Sequence, residues 1–319
     1  MATYSTIKGF TVQSLATDPA ATEVLASTWA TGGNRNDLAY NGTGLGTQTA
    51  ALAALGTGGS GPVPGIQTWA EEYNGTAWVE ATAAPTAVGG TSGGGIQTSA
   101  VIASGYSTTY LTESFEYDGT SWTEGGDIGV GRDGCAGAGT ASTAALISGG
   151  ANPSAAGRTE QYDGSTWTEL NNLNTARFKA SGIGTSTAAL TVGGDTGPPA
   201  VTAVVEQWNG TAWTEVGDLN TARMEMGQNA AGTETAGLVF AGSIPAKSAL
   251  TESYNGTSWT EVADLSTARN SGFGAGTQVS ALLSGGSSSG SPDGAAATEE
   301  FSVSGTLAQE GQVWYNTAS

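Results

Sequence analysis

A hexapeptide with an aromatic residue at each end recurs along the chain and predicts its most regular elements. It reads Y-N-G-T-A-W at 73–78 and returns at 117–122, 162–167, 208–213 and 254–259. An Asn-Gly or Asp-Gly pair between strand-forming residues is the strongest short-range signal for a β-hairpin, because both central residues of its two-residue turn need positive φ. Each copy therefore predicts two antiparallel strands joined by a tight turn.

A second pattern, G-x-G-T followed by a short apolar run, alternates with the hexapeptide. Its copies lie at 44–52, 94–105, 137–150, 182–194, 230–242 and 274–286. Each copy predicts two more strands, and the first is so rich in Gly and Ala that other backbones are expected to approach it closely. Four antiparallel strands per repeat, with a period of 44–46 residues between the hairpin tryptophans, are typical of a propeller blade. We predict an all-β, six-bladed β-propeller over residues 25–306.

Closure of the ring requires a strand from the other end of the chain. The last repeat has a third strand, T-E-E-F-S-V at 298–303, but no Trp follows it at the expected position. The segment L-A-S-T-W at 25–29 ends in Trp29. The number of residues from Trp29 to the next G-x-G-T unit is the same as from a repeat Trp to the G-x-G-T unit that follows it. Because an open propeller would expose two unpaired sheet edges, we predict that this N-terminal strand completes the sixth blade, between the blades of Trp259 and Trp78.

The repeat resembles the kelch family. Gly149-Gly150, Tyr162 and Trp167 follow the kelch order of a glycine doublet, an aromatic on the third strand and a Trp on the fourth. The T-A-R triplets, at 175–177, 221–223 and 267–269, stand where kelch repeats often carry Arg. The resemblance covers residues 25–306 and implies kelch-like four-stranded blades, although the spacing from aromatic to Trp is shorter than in most kelch repeats.

The two ends of the chain resemble a different group, the structural proteins of marine and cyanobacterial tailed bacteriophages. The resemblance lies in Y-S-T-I-K-G-F-T-V-Q-S-L-A-T-D-P at 4–19 and E-G-Q-V-W-Y-N-T-A-S at 310–319. It implies that 1–24 is an attachment segment and that 307–319 packs with it, with the propeller inserted between them. It also implies a place in the virion, assembled in the host cytoplasm, with other virion proteins and further copies of this chain as partners.

Composition and charge exclude several classes of ligand and activity. The chain has 9 Lys and Arg against 28 Asp and Glu, a formal charge of −19, which argues against nucleic acid or an anionic membrane surface as a direct ligand. No apolar run is long enough to span a bilayer, so no membrane insertion is expected. The chain has no His, which removes the commonest catalytic base and metal ligand. We therefore expect no enzyme activity, no catalytic or metal-binding residues and no cofactor.

Three groups of side chains are candidates for a structural or binding role. One Trp per blade is predicted to form the core between blades: Trp29, Trp78, Trp122, Trp167, Trp213 and Trp259. Residues of opposite charge at repeated positions predict ion pairs between blades: Arg132, Arg177, Arg223 and Arg269 with Glu160, Glu206 and Glu252. Trp69 and Trp208 lie outside the regular Trp positions and are candidates for surface contact.

Together these features predict a non-enzymatic structural protein of a phage virion, in the tail, a fibre or the capsid surface. The rigid propeller would then serve as a display or docking platform. The equivalent positions of the arginines favour this interpretation, since catalysis normally needs different groups that converge on one point. The alternative is a carbohydrate-binding adhesin that recognises host-surface glycans through aromatic side chains.

Overall fold

The computed structural model describes residues 26–58, 65–197, 200–227, 229–290 and 294–304, together with two strands near the N-terminus. The chain divides into two compact units, one of which is Thr28–Ser302. The other comprises Met1–Ser27 and Val303–Ser319, and two of its strands, Ala2–Ile7 and Phe10–Leu15, pair antiparallel with each other. The predicted extension 307–319 lies outside the described residues.

Thr28–Ser302 is a six-bladed β-propeller of four-stranded antiparallel sheets, which confirms the predicted fold. The blades are numbered 1 to 6 along the chain by their innermost strands. The innermost strands are Thr43–Thr47, Ser92–Ile96, Ala136–Ala141, Ser181–Gly184, Ala231–Thr233 and Phe273–Thr277. The second strands are Ala50–Ala54, Ser99–Ala103, Ala144–Ser148, Ala189–Val192, Ala236–Phe240 and Ser280–Ser284.

The hexapeptides supply the outer half of each blade. The third strands are Ala70–Tyr73, Ser114–Tyr117, Thr159–Tyr162, Val205–Trp208, Thr251–Tyr254 and Thr298–Ser304. The outermost strands of blades 1 to 5 are Trp78–Glu80, Trp122–Glu124, Trp167–Leu170, Trp213–Glu215 and Trp259–Glu261. The outermost strand of blade 6 is Ala26–Thr31, so the N-terminal segment closes the ring as predicted.

The turn inside each hexapeptide differs from the predicted two-residue turn. In blade 1 a loop of four residues, 74–77, connects Tyr73 to its cross-strand partner Trp78. The Asn74 side-chain Oδ1 accepts the backbone N–H groups of Thr76 and Ala77, and only Gly75 takes a positive φ, of 88°. The Asn or Asp is therefore selected for this local hydrogen bonding, and the Gly for its φ.

Glycine in the innermost strands is required by contact between neighbouring blades. A Cβ atom on Gly137 would overlap the carbonyl oxygen of Gly93 in blade 2, and one on Gly182 would overlap that of Gly137. The apolar core lies between adjacent sheets. Leu45 and Leu52 of blade 1, for example, belong to the same buried cluster as Ile102 and Tyr117 of blade 2.

The propeller has two different ends, to which we refer below. The hairpin face carries the hexapeptide loops, each beside the turn between the innermost and second strands of its blade, as Gly75 lies beside Thr49. The loop face carries the longer connections. These include three two-stranded pairings: Thr57–Gly58 with Gly65–Ile66, Ser243–Ile244 with Ala246–Lys247, and Arg269–Asn270 with Ser287–Ser288.

Candidate functional site

A closed ring of six backbone hydrogen bonds surrounds the propeller axis at the loop face. The N–H of one residue per blade donates to the carbonyl oxygen of its counterpart in the preceding blade, over 2.7–3.0 Å. All six residues have a φ of 53–70°. The ring residues are Asn41, Gly90, Gly134, Lys179, Glu225 and Ser271. This ring fixes the backbone at the axial opening, whatever side chains the six positions carry.

The residues just before the ring differ from blade to blade. They are Tyr40, Gly89, Asp133, Phe178, Met224 and Asn270, and each pairs through its backbone with the start of the next connection in its blade. The hairpin face, in contrast, repeats nearly the same hexapeptide in five blades. Residues that repeat in every blade are those that the blade structure requires. At the loop face the backbone is the same in each blade but the side chains differ. We therefore take the loop face around the ring as the candidate functional site.

Four polar side chains from blades 4 to 6 form a connected cluster in this site. The Lys179 ammonium lies 2.5 Å from Oε1 of Glu225. The Asn270 Nδ2 donates to Oε2 of Glu225 at 2.7 Å and to Ser243 Oγ at 2.8 Å. The Asn270 Oδ1 is buried and accepts no protein hydrogen bond. The cluster thus combines one cation and one carboxylate at the edge of the ring.

Asp133 adds a second carboxyl group beside this cluster. Burial raises the pKa of Asp133 above its ordinary value, and the nearby Lys179 ammonium opposes that shift. An apolar groove of about 440 Å³ lies on the same face, lined by Val201, Met224 and Ile244 among others and by one carboxyl group, that of Asp195. The face can therefore hold a ligand or partner that has both apolar and hydrogen-bonding parts.

The described cations are divided between the core and this face. Five arginines are almost fully buried in ion pairs with glutamates: Arg35–Glu71, Arg132–Glu160, Arg177–Glu206, Arg223–Glu252 and Arg269–Glu299. The other three described cations, Arg158, Lys179 and Lys247, belong to the connections of the loop face or to their ends. In the described part of the chain, positive charge that a partner can reach is thus confined to the loop face.

Arg132, Arg177 and Arg223 pair with the predicted glutamates, whereas Arg269 pairs with Glu299, which was not predicted. The prediction that these pairs join different blades is wrong. Arg177 lies in the connection that leads into blade 4, and its Nη1 is 2.5 Å from Oε1 of Glu206 on the third strand of that blade. Its Nη2 also donates to the Thr191 carbonyl on the second strand. The connection after each Trp is long enough to pack against the sheet of the next blade before that blade begins. The Arg in this connection therefore pairs with a Glu of the blade that the connection leads into.

Burial has a clear electrostatic effect on these pairs. It lowers the pKa of the Arg177 guanidinium, and the adjacent Glu206 carboxylate opposes the shift. The second oxygen of Glu206 accepts hydrogen bonds from the backbone N–H and the Nδ2 of Asn174. Both members of the pair are therefore held by further polar contacts, as buried charges require.

Blades 1 and 2 depart from this pattern. The Arg35–Glu71 pair was not predicted, because Arg35 does not stand ten residues after a Trp as the other arginines do. Glu71 does stand seven residues before Trp78, the position of the other paired glutamates, and could have indicated the pair. In blade 2 the two equivalent positions are Val88 and Phe115, both buried. One blade of this protein thus replaces the ion pair with two apolar side chains.

The hairpin tryptophans connect each blade to the preceding one. Trp78 Nε1 donates to Thr298 Oγ1 at 2.9 Å, and Trp213 Nε1 donates to Thr159 Oγ1 at 2.9 Å. Trp29 Nε1 makes the equivalent bond to Thr251 Oγ1 at 3.1 Å, so the strand from the N-terminus occupies the same place as the others. Trp122, Trp167 and Trp29 are half-buried, whereas Trp78, Trp213 and Trp259 are 5–6% exposed.

The expectation that Trp208 makes surface contacts is wrong, since only 1% of it is exposed. Trp208 occupies the position of the tyrosines in the other hexapeptides and stacks at 5.2 Å on Trp213. Trp69 is half-buried, and its ring lies 4.7 Å from the Arg35 guanidinium carbon and 6.0 Å from Phe273. Both residues therefore contribute to packing.

Tyrosines at the same position provide the charged contacts between blades that were assigned to the arginines. The hydroxyl of Tyr162 donates to Oε1 of Glu116 in blade 2 at 2.5 Å, and that of Tyr117 donates to Oε1 of Glu72 in blade 1 at 2.9 Å. Burial, followed by the hydrogen bond to Glu116, raises the pKa of Tyr162 to about 12.

Among the residues described, no group of His, Cys, Asp and Glu has the arrangement of a metal site. In that same part of the chain, no helix is long and apolar enough to cross a membrane.

Comparison with known proteins shows the fold. No protein-family model matches the chain, and no curated protein matches it. Among solved structures 321 chains match. One of them, titled "Structure of YjhT", is 13% identical, with a TM-score of 0.67 over 83% of this chain and 95% of that chain. A likeness at this identity is one of architecture, and the kelch and phage resemblances of the sequence stay predictions.

Proposed function

We propose that this protein is a non-enzymatic structural component of a tailed-phage particle, in which the propeller presents its loop face as a docking surface. The observation that carries the proposal is where the chain enters and leaves the propeller. Thr28 and Ser302 lie side by side, with their hydroxyl oxygens 3.4 Å apart. Ser302 pairs with Ser280 next to a turn of the hairpin face. The chain therefore both enters and leaves the propeller at the hairpin face, opposite the candidate site.

This placement suits a display role. If the terminal segments attach the protein to other virion proteins or to further copies of this chain, the loop face remains accessible. The buried Arg–Glu pairs and the ring of hydrogen bonds support the same role, because they hold the platform in one conformation. The resemblance of the chain ends to phage structural proteins supplies the biological setting.

Labelling of purified particles tests the proposal. Antibody fragments raised against the propeller should bind intact phage particles, and mass spectrometry should detect the protein in those particles at a fixed copy number. Presence of the protein in the lysate but not in the purified particles would refute the virion role.

A second candidate function, glycan binding by an adhesin, is favoured by one feature of the loop face. Phe178 and the exposed Tyr106 lie on this face, together with the carboxyl group of Asp133. Aromatic faces and hydrogen-bond acceptors suit the apolar and hydroxyl surfaces of sugars. An array of bacterial surface saccharides separates the two candidates: binding that Asp133→Ala abolishes supports the adhesin, whereas absence of binding favours protein docking.

A further inference from the structure

The axial channel is interrupted by a side chain that spans it. The Asn229 Nδ2 in blade 5 donates to the Gly93 carbonyl oxygen in blade 2 at 3.2 Å. Blades 2 and 5 are opposite each other in a ring of six. Asn229 therefore forms a floor across the channel, and its Oδ1 is buried without a protein hydrogen bond.

Between this floor and the hairpin face lies a well of about 140 Å³, to which all six innermost strands contribute. Its lining includes Gly44, Gly137, Gly182 and Gly274 beside Asn229, while Ile96 and Thr140 stand at the outer end. No carboxylate or ammonium group is among the lining residues. The well is thus built almost entirely from backbone.

Two backbone carbonyls at the level of the floor accept hydrogen bonds from blade 5. The Gly93 carbonyl accepts from Asn229 across the channel, and the Gly182 carbonyl accepts the Ala230 N–H from blade 5. Gly44, Gly137 and Gly274 have the same register against their second strands as Gly93 and Gly182. Since residues at one register in antiparallel ladders direct their N–H and C=O groups to the same side, these carbonyls point away from their second strands, to the channel side of each blade. Those of Gly93 and Gly137 also lie against the glycine of the next blade.

These oxygens define what can bind. Carbonyl and carboxamide oxygens are neutral, hard donors, and each carbonyl oxygen can accept a second contact. Oxygen ligands select hard cations, and rings of backbone carbonyls replace the hydration shell of alkali-metal ions in channel filters. The formal charge of −19 further raises the local concentration of cations.

We propose that the well binds one K⁺ ion, held by carbonyl oxygens of the innermost strands and by Oδ1 of Asn229. The ion joins the six innermost strands at the axis and stabilises the closed propeller. This inference does not depend on the proposed virion role.

Diffraction from crystals soaked in RbCl tests the proposal directly, since Rb⁺ substitutes for K⁺ and scatters anomalously. An anomalous peak in the well beside Asn229 Oδ1 is expected. A well without such a peak holds water only and overturns the proposal.

Thermal unfolding supplies a second test. The wild-type protein should melt about 2–4 °C higher in KCl than in choline chloride at the same concentration. The shift should be lost in Asn229→Leu, which removes Oδ1, and kept in Asn172→Leu, which changes an exposed Asn of the loop face. A shift that persists in Asn229→Leu, or is absent from the wild type, contradicts the proposal. Should Asn229→Leu not fold, the Rb⁺ experiment on the wild type still decides.

Discussion

The carboxamide of Asn229 reaches across the propeller axis to the carbonyl oxygen of Gly93 in the opposite blade. This single contact separates the channel into a glycine-lined well on the hairpin face and a ring of left-handed residues on the loop face. The two ends of the axis therefore differ in chemistry, although the blades around them repeat.

The buried ion pair of blade 4 can be exchanged for the apolar pair found in blade 2. Arg177→Val alone leaves the Glu206 carboxylate buried without its partner and should cost about 3–5 kcal/mol of unfolding free energy. The double substitution Arg177→Val, Glu206→Phe copies Val88 and Phe115 and should recover most of that loss. Urea denaturation measures both. A double variant as unstable as the single one would show that blade 4 needs the charges themselves.

The interblade tryptophans should dominate stability where they are buried most completely. Trp213→Ala removes a side chain that is 6% exposed and its hydrogen bond to Thr159, and should cost about 3–5 kcal/mol. Trp122→Ala, at the equivalent but half-buried position of blade 2, is the matched control and should cost less. Equal losses in urea denaturation would contradict the assignment of stability to burial of this position.

Ring closure should depend on residues 26–31 and not on the segment before them. Deletion of residues 1–31 removes the outermost strand of blade 6 and leaves Thr298–Ser304 as an unpaired edge, which invites association between copies. We expect a lower melting temperature and oligomers in size-exclusion chromatography with light scattering. Deletion of residues 1–25 keeps the strand and serves as the control. If the two deletions behave alike, closure by this strand is not what stabilises the propeller.

Alkaline pH should destabilise the protein through its interblade tyrosines. The pKa of each of Tyr73, Tyr117 and Tyr162 is raised in the folded protein, chiefly by burial and then by hydrogen bonding to a glutamate. Above the ordinary tyrosine pKa of 10.0 the folded state therefore binds more protons than the unfolded state. The stabilisation is complete below about pH 10 and is lost as the pH rises toward 12.

Replacement of these three tyrosines by Phe provides the measurement. Between pH 10 and 12 the free energy of unfolding should fall more steeply in the wild type than in the triple variant. Equal slopes would mean that the hydroxyl groups titrate alike in the folded and unfolded states.

The sequence was sufficient for the fold because the blade signals are local. Each hexapeptide carries a turn and two strand ends, and the offset of Trp29 from the next G-x-G-T unit was enough to predict ring closure. Trp208 was wrongly assigned to the surface because it is a Trp outside the regular Trp positions. Its position in the hexapeptide, where the other copies have a buried Tyr, was the better guide. Arg35 and the direction of the Arg–Glu pairs depend on how a connection folds beneath the next blade, which no local spacing encodes.

The candidate site was not predicted at all. The ring residues include Asn, Gly, Lys, Glu and Ser, which share only a positive φ. Their hydrogen bonds join residues more than forty positions apart, so no motif connects them. Comparison of equivalent positions between blades shows where the chain varies, but only the structure shows that these positions meet at the axis.

The claim that the loop face is the presented surface of a phage particle has one direct test. Two antibody fragments are needed, one against the loop face around Tyr106 and Ile244, the other against the hairpin face around Ile96 and Val279, since all four side chains are exposed. Electron microscopy of purified particles should show labelling by the loop-face fragment and not by the hairpin-face fragment, while both bind the isolated protein. Particles labelled by neither fragment, or only by the hairpin-face fragment, would contradict the account.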